Sequence, residues 1–458
     1  MPAAPTPASR FLAAIWGALG GDEAWLNRVE ISGQGDLPSA FAVTDLAAAS
    51  VGAAALAIAE RMASATSHPP RVVVDRRLAS LWFGFSLKPQ GWTLPPVWDP
   101  IAGDYPAADG WIRLHTNAAR HREAALAALG CGGERDAVAA AVRGARADEL
   151  EAAIVARGGC AAVMRSLAAW ADHPQGRTVA AEPLVLIDKR EPVVAAKRPI
   201  DPSRPLAGVR VLDLTRILAG PVATRFLAAY GADVLRLDPP VWEEPSVAPE
   251  VTLGKRCARL DLKDAGGRAR FLALLAEADV IVHGYRPGAL DALGLGEVER
   301  RRARPGLVDV SLDAYGWSGP WAGRRGFDSL VQMSAGVAAE GMRRFGKDKP
   351  TPLPVQALDH ATGYFLAAAA VRGLTERATS GAASSRRLSL ARVAALLANE
   401  PIEANAPFAA VDEGDFAPEI ESTDWGPARR FRPPAAVDGA PMLWARPACR
   451  LGAAPPTW

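Results

Sequence analysis

The chain has 458 residues, 49% hydrophobic and 22% charged, enough for roughly two or three domains with buried cores. Its 52 basic and 50 acidic residues nearly cancel to a formal charge of +2, which speaks against a nucleic-acid or membrane-surface partner. The four cysteines, Cys131, Cys160, Cys257 and Cys449, are scattered and form no C-x-x-C, so neither a disulfide framework nor a zinc site is expected, and a cytoplasmic protein is.

In chain order, a first region over 1–195 reads as helical with a small α+β domain. Its start has one Arg and a short apolar run, without the long apolar core of a signal peptide. The Ala-rich run between Leu46 and Ala59 is read as too short to cross a bilayer, which takes about 18–20 residues. "DLAAASVGAAALAIAERMA" is a helix opened by Asp45. "DGWIRLHT" is a strand, and "NAARHREAALAALG" a helix closed by Gly130. "ADELEAAIVARGG" and "AAVMRSLAAWADH" read as two more helices before a Pro-rich, charged linker.

The second region, 196–398, alternates. Strands are expected at "VRVLDL", "ADVLRLD", "RCARLDL", "DVIVHGY" and "LVDVSL", with helices such as "VATRFLAAYG" and "AGGRARFLALLAEA" between them. This is the pattern of an α/β fold: a Rossmann-like parallel sheet with helices on both faces. The third region, 399–458, is irregular and Trp-bearing, a tail packed on the body. There is also an internal echo: Asp45 and Asp359 each open an Ala-rich helix that ends in Glu-Arg, and each is followed by a second apolar helix, from Arg76 and from Arg386.

Ligands of parallel sheets sit beyond the carboxyl ends of the strands. The loop holding Arg216, Ala219, Gly220 and Pro221 falls there, as does the one holding Tyr285 and Arg286. A Gly-Pro helix entry leaves N–H groups facing a ligand, and Arg286 can meet a phosphate or serve as a solvated turn residue. Lys255 and Arg256 precede a strand, as a solvated edge or as phosphate partners. Asp359 is either an N-cap or a nucleophilic carboxylate that the helix terminus keeps ionised. Asp45 has the same two readings. No G-x-G-x-x-G, G-x-x-x-x-G-K-[ST] or G-x-S-x-G occurs, and neither His283 nor His360 has metal-ligand spacing, so no metal is expected.

The stretches "PLAGVRVLDLTRILAGPVATRFLAAYGADVLRLDPP", "GKRCARLDLKDAGGRARFLALLAEADVIVHGYRPGALDALGLG", "PGLVDVSLDAYGWSGPWAGRRGFDSLVQMSAGV" and "PLPVQALDHATGYFLAAAAVRGL" together resemble the class III CoA-transferases, the CaiB/BaiF-like family that includes formyl-CoA and carnitine-CoA transferases and 2-methylacyl-CoA racemases. "DGWIRLHT" and "AAWADHPQGRTVAAEPLVLI" resemble a portion that in the family follows the catalytic aspartate, so the order looks rearranged and partly duplicated. The resemblance implies CoA transfer from an acyl-CoA to a carboxylic acid acceptor, with Asp359 as nucleophile carrying a CoA thioester. It implies CoA, as part of the substrate, held by Arg216, Ala219, Gly220, Pro221, Lys255, Arg256, Tyr285 and Arg286. It implies a homodimer as well. The racemase branch has a histidine where this chain has Phe327, before Asp328. Phenylalanine cannot move an α-proton, which favours transfer. The alternatives are a racemase or other isomerase on the same fold, or a non-catalytic CoA-binding paralogue.

Overall fold

The computed structural model describes residues 4–192, 198–400, 402 and 406–458; the expected boundary at 195–196 lies outside them. Four helices form the centre: α1 (Pro7–Ala18), α2 (Val43–Met62), α3 (Ala219–Ala229) and α4 (Ala357–Ser380). α2 packs on α4, α1 on α2, and α3 on α4. The echo therefore extends beyond the aspartates: "ASRFLAA" in α1 matches "ATRFLAA" in α3, and each of these helices lies on its own Ala-rich neighbour. Small side chains allow the close approach. A Cβ on Gly363 of α4 would come within 2.6 Å of the Ala219 carbonyl oxygen at the start of α3.

The Ala-rich run corrects one expectation. α2 spans 20 residues and is long and apolar enough, by length and composition, to cross a membrane. In the fold, 94% of its apolar window is buried inside the protein. A helix apolar on all sides suits the centre of a protein as well as a bilayer.

Around this centre runs a seven-stranded sheet: β1 (Leu186–Pro192), β2 (Arg210–Leu214), β3 (Asp233–Asp238), β4 (Arg256–Arg259), β5 (Val280–His283), β6 (Val308–Asp313) and β7 (Ala382–Ser389). Its order is β4-β3-β2-β5-β6-β7-β1. All pairs are parallel except β7 with β1. The fold is α/β, as expected, and the five strands read from the second region are present. The three regions are interwoven, however. β1 comes from the first region and closes the edge of the sheet. Ala435–Val437 of the tail pairs with Val72–Asp75, and Gly426–Arg430 with Leu87–Pro89. Two readings of local structure change. "AAVMRSLAAWADH" is a strand, Ala161–Val163, followed by the short helix Leu167–Asp172. The segment from Arg386 ends strand β7, and its helix starts only at Leu390.

Candidate active site

α4 begins at Ala357, and Asp359 stands in its first turn. The Gln356 side chain at the N-cap makes no capping bond. The helix's first N–H donors are served from elsewhere: the Asp328 carboxylate accepts from the Leu358 N–H at 2.8 Å and from the Asp359 N–H at 3.0 Å. Asp328 opens the helix Asp328–Ser334, and Gln332 on the next turn donates to its other oxygen. With capping done by Asp328, the Asp359 side chain has no hydrogen-bond or ion-pair partner among the described residues, although only 9% of the residue is exposed. The N-cap reading of Asp359 is therefore replaced.

The charge state also differs from expectation. The helix terminus alone favours an ionised carboxylate. Burial, followed by the negative charge of Asp328, instead pushes Asp359 well above the usual carboxylate range. Burial raises Asp328 to about 6, against the bonds it accepts from Asp359, Gln332 and Leu358. Two carboxyl groups this close and this dry resist holding two negative charges.

Asp45 occupies the matching place in the first turn of α2, in different company. Arg76 reaches its Oδ1 at 3.0 Å and that of Asp36 at 2.8 Å. Asp75 caps the helix Arg76–Trp82 as Ser389 caps Leu390–Ala398, so Arg76 corresponds to Leu390 beside α4. One aspartate of the echo is neutralised by an arginine, and the other faces a second carboxylate.

The loops at the carboxyl end of the sheet bring cations together. Arg216, after β2, lies over Trp242 and Tyr285 at 5.0 and 5.3 Å and donates to the Tyr285 hydroxyl at 3.0 Å. Arg286 follows β5. Arg325, three residues before Asp328, and Arg120, at the start of the helix Ala119–Leu129, join them. Burial lowers Arg120, and the charges of Arg325, Arg216 and Arg286 lower it further. Among the described residues none of the four has a carboxylate partner. Four guanidinium groups without carboxylate partners lie together at the sheet's carboxyl edge, a charge pattern that suits phosphate or another polyanion. Sequence reasoning found Arg216 and Arg286 from their loops and missed Arg120 and Arg325. Arg120 comes from the first region, and no local signal in "NAARHR" joins it to a loop two hundred residues away.

The loop after β2 is held under strain. Ile217 has φ 65°, the one non-glycine residue with positive φ among the described residues. A β-branched residue there is a steric outlier. Glu244 holds it, accepting from the Ile217 N–H at 2.9 Å and from Trp242 at 3.1 Å. Ala219, Gly220 and Pro221 form the buried first turn of α3.

Lys255 and Arg256 are corrected. Lys255 is buried, with Nζ 2.9 Å from Asp213 and 3.0 Å from the Pro221 carbonyl oxygen. It braces the 216–221 loop from beneath and has no path to a phosphate. Arg256 begins β4, at the amino end of the parallel sheet, where it pairs with Asp233 at 2.8 Å and with the Thr457 carbonyl oxygen. A side chain at that end faces away from the ligand edge. Among the described residues, no cluster of three or more His, Cys, Asp or Glu side chains could hold a metal ion.

The fold and site are those of an α/β protein with an arginine cluster at its sheet edge and an unpartnered buried carboxylate. Residues 206–443, just over half of the chain, match the family described as CoA-transferase family III, and the chain belongs to that family. It is 34% identical over 208 residues to a probable fatty acyl-CoA transferase of Mycobacterium tuberculosis, covering 42% of this chain and 52% of that protein. It is also 34% identical over 196 residues to the succinyl-CoA:glutarate CoA-transferase of Mus musculus, covering 40% and 44%. The crystal structure of the same Mycobacterium tuberculosis protein aligns with a TM-score of 0.39 at 33% identity, covering 43% of this chain and 58% of that one. A CAIB/BAIF family protein from Brucella suis aligns with a TM-score of 0.38 at 26% identity, covering 49% and 65%. The chain spans about half the length of the curated relatives it matches.

Proposed function

We propose that the protein transfers CoA from an acyl-CoA to a carboxylic acid through a thioester on Asp359. The observation that carries this reading is the unpartnered, buried carboxylate of Asp359, relieved of capping by Asp328. A nucleophile must be free to attack, and burial strips the water that would blunt it.

Ionised Asp359 attacks the acyl-CoA carbonyl carbon. The C–S bond breaks, leaving a mixed anhydride and CoA thiolate. The thiolate attacks the aspartyl carbonyl, forming the enzyme thioester and releasing the first acid as its carboxylate. An acceptor carboxylate attacks the thioester, giving a new anhydride and freeing the thiolate again. The thiolate then takes the acceptor's acyl group, and Asp359 returns as a carboxylate. Each bond broken is matched by an equally activated bond formed, so no nucleotide hydrolysis is needed. Arg120, Arg216, Arg286 and Arg325 supply charge for the CoA phosphates, with Tyr285 orienting Arg216. A cytoplasmic homodimer is part of this reading, and sedimentation measures the assembly.

The test is incubation with a panel of acyl-CoAs and hydroxylamine, followed by peptide mass spectrometry. A hydroxamate on Asp359 supports the reading. Modification of Asp45 would mean that the other half of the echo carries the chemistry. CoA binding without modification of either residue would favour a non-catalytic paralogue or an isomerase.

A further inference from the structure

Residues 449–458 form a strap over one edge of the large sheet, away from the carboxylate pair and the arginine cluster. β4 is the terminal strand of that sheet. The Ala454 N–H donates to the Cys257 carbonyl oxygen of β4 at 2.9 Å. Arg256 donates to the Thr457 carbonyl oxygen. On the helix Ala265–Ala276, Arg270 donates to the Pro456 carbonyl oxygen at 2.7 Å, and the Leu274 carbonyl oxygen accepts from the Trp458 indole at 2.9 Å. A bare edge strand offers unpaired backbone to other chains, and a strap of this kind covers it.

Two thiols meet where the strap begins. Cys257 is fully buried, Cys449 is half-buried, and both are free. The Cys449 N–H donates to the Thr252 hydroxyl at 3.1 Å, and its Sγ lies 3.7 Å from the carbonyl oxygen of Lys255, two residues before Cys257. The two thiols are hydrogen-bonded to each other, although they lie far apart in sequence. The contact makes the sulfurs unequal. The bond from the Cys257 thiol, helped by the Cys257 backbone N–H and the Lys255 charge, lowers the Cys449 thiol in spite of burial and Asp424. The same bond, followed by burial, raises Cys257 well above the usual thiol range. Burial alone pushes Cys160 up to about 11 against four arginines. The thiolate is the reactive form, so a lowered, half-buried thiol with a second thiol in contact is a site where oxidation starts and is resolved.

We propose that Cys449 and Cys257 form a reversible redox latch, in which a hydroperoxide converts the pair to a disulfide that fastens the C-terminal strap to the edge strand β4. The Cys449 thiolate attacks one peroxide oxygen and the O–O bond breaks. Cys449 becomes a sulfenic acid, and the other oxygen leaves, with a proton, as water or an alcohol. The Cys257 sulfur then attacks the Cys449 sulfur. It gives up its proton, and the hydroxyl group departs as water. The two sulfurs together lose two electrons, which the O–O bond has taken. A dithiol reductant reverses the change by thiol–disulfide exchange. The bond closes a loop that contains most of the α/β body, and a cross-link over so long a loop restricts the unfolded chain strongly.

The experiment treats the full chain, dilute and folded, with hydrogen peroxide or with excess dithiothreitol, alkylates the remaining thiols and maps the peptides without reduction. A Cys257–Cys449 linked pair is expected after peroxide, with Cys131 and Cys160 still alkylated. The melting temperature is expected to rise by ~5 °C and to return with dithiothreitol. Cys449→Ser removes both the link and the shift. Cys257→Ser leaves Cys449 as a sulfenic acid that dimedone captures. A folded wild type that forms no such link, links other cysteines or cross-links between chains overturns the proposal. So does a peroxide-dependent shift that persists in Cys449→Ser. The mapping of wild type decides the matter should either variant fail to fold.

Discussion

In the unfolded chain Asp359 ionises as an ordinary carboxylate, whereas in the fold burial and Asp328 raise it well above that range. The folded state therefore holds the proton more tightly. The stability this contributes is present in full below the unfolded pKa and is lost as pH rises through the folded pKa. At neutral pH the charge that serves catalysis opposes folding. Asp359→Asn is expected to abolish hydroxamate formation and to stabilise the protein by about 0.5–2 kcal/mol at pH 7, with the gain vanishing in acid. Thermal denaturation at two pH values checks this; an equal effect at both would mean that the carboxylate is solvated in the fold. The same linkage governs activity. Attack needs ionised Asp359, so kcat/KM rises with pH through its pKa. Asp328→Asn removes the neighbouring charge and moves that rising limb to lower pH. A pH profile of single-turnover thioester formation measures the shift, and a limb that stays in place would show that Asp328 acts only as a cap.

Elements built on a clear period could be read from the sequence, and those defined by partners could not. Strands β2 to β6 are short runs between helical segments, and each lies where the alternation puts it. β7 carries "SSRRLS", which has no strand-like apolar face, and it is a strand because β6 and β1 flank it. Ala161–Val163 is likewise set by its pairing with Gly110–Leu114, which local propensity does not register. The site divides the same way. Arg216, Arg286 and Asp359 announce themselves by standing at loop or helix starts. Lys255 misleads because adjacent cations look like a solvated edge, while Asp213 and Pro221 draw its ammonium inward. The contact between α3 and α4 is the element-scale feature that bears on the site. Gly363 lies one turn after Asp359, and its absent side chain lets the start of α3 come close. Gly363→Ala forces a Cβ to 2.6 Å from the Ala219 carbonyl oxygen and 2.8 Å from Val222. Overpacking of this kind costs about 1–3 kcal/mol. Because the displaced atoms belong to the turn that carries Gly220 and Pro221, CoA affinity should fall along with the melting temperature. A stability loss with unchanged CoA binding would separate that turn from the binding site.

At the scale of the whole molecule, the first region and the α/β body work as one object because buried polar clamps tie them. Glu182 accepts from the N–H groups of Trp317 and Ser318, each at 2.9 Å. Gln175 is fully buried and uses its whole amide on the same loop: Nε2 donates to the carbonyl oxygens of Tyr315 at 2.8 Å and Ser318 at 2.9 Å, and Oε1 accepts from the Trp321 N–H at 2.7 Å. That loop leads within a few residues to Arg325, Phe327 and Asp328. A residue of the first region thus fixes the backbone that leads to Arg325 of the cation cluster and Asp328 of the carboxylate pair. Gln175→Ala leaves three backbone groups without their side-chain partner, of which the Tyr315 carbonyl is buried, and this costs about 1–3 kcal/mol. The functional consequence distinguishes a clamp from simple packing. On the proposed CoA reading, loosening the loop should displace Arg325 from the phosphates before it disturbs Asp359, whose N–H is tied to Asp328 at 3.0 Å. KM for the acyl-CoA should therefore rise more than kcat falls, and added salt should weaken the variant's CoA binding less than that of wild type, because fewer cations engage the anion. Steady-state kinetics at two ionic strengths decides the matter. A pure loss of kcat, or an unchanged salt response, would mean that the first region supports the fold without shaping the site.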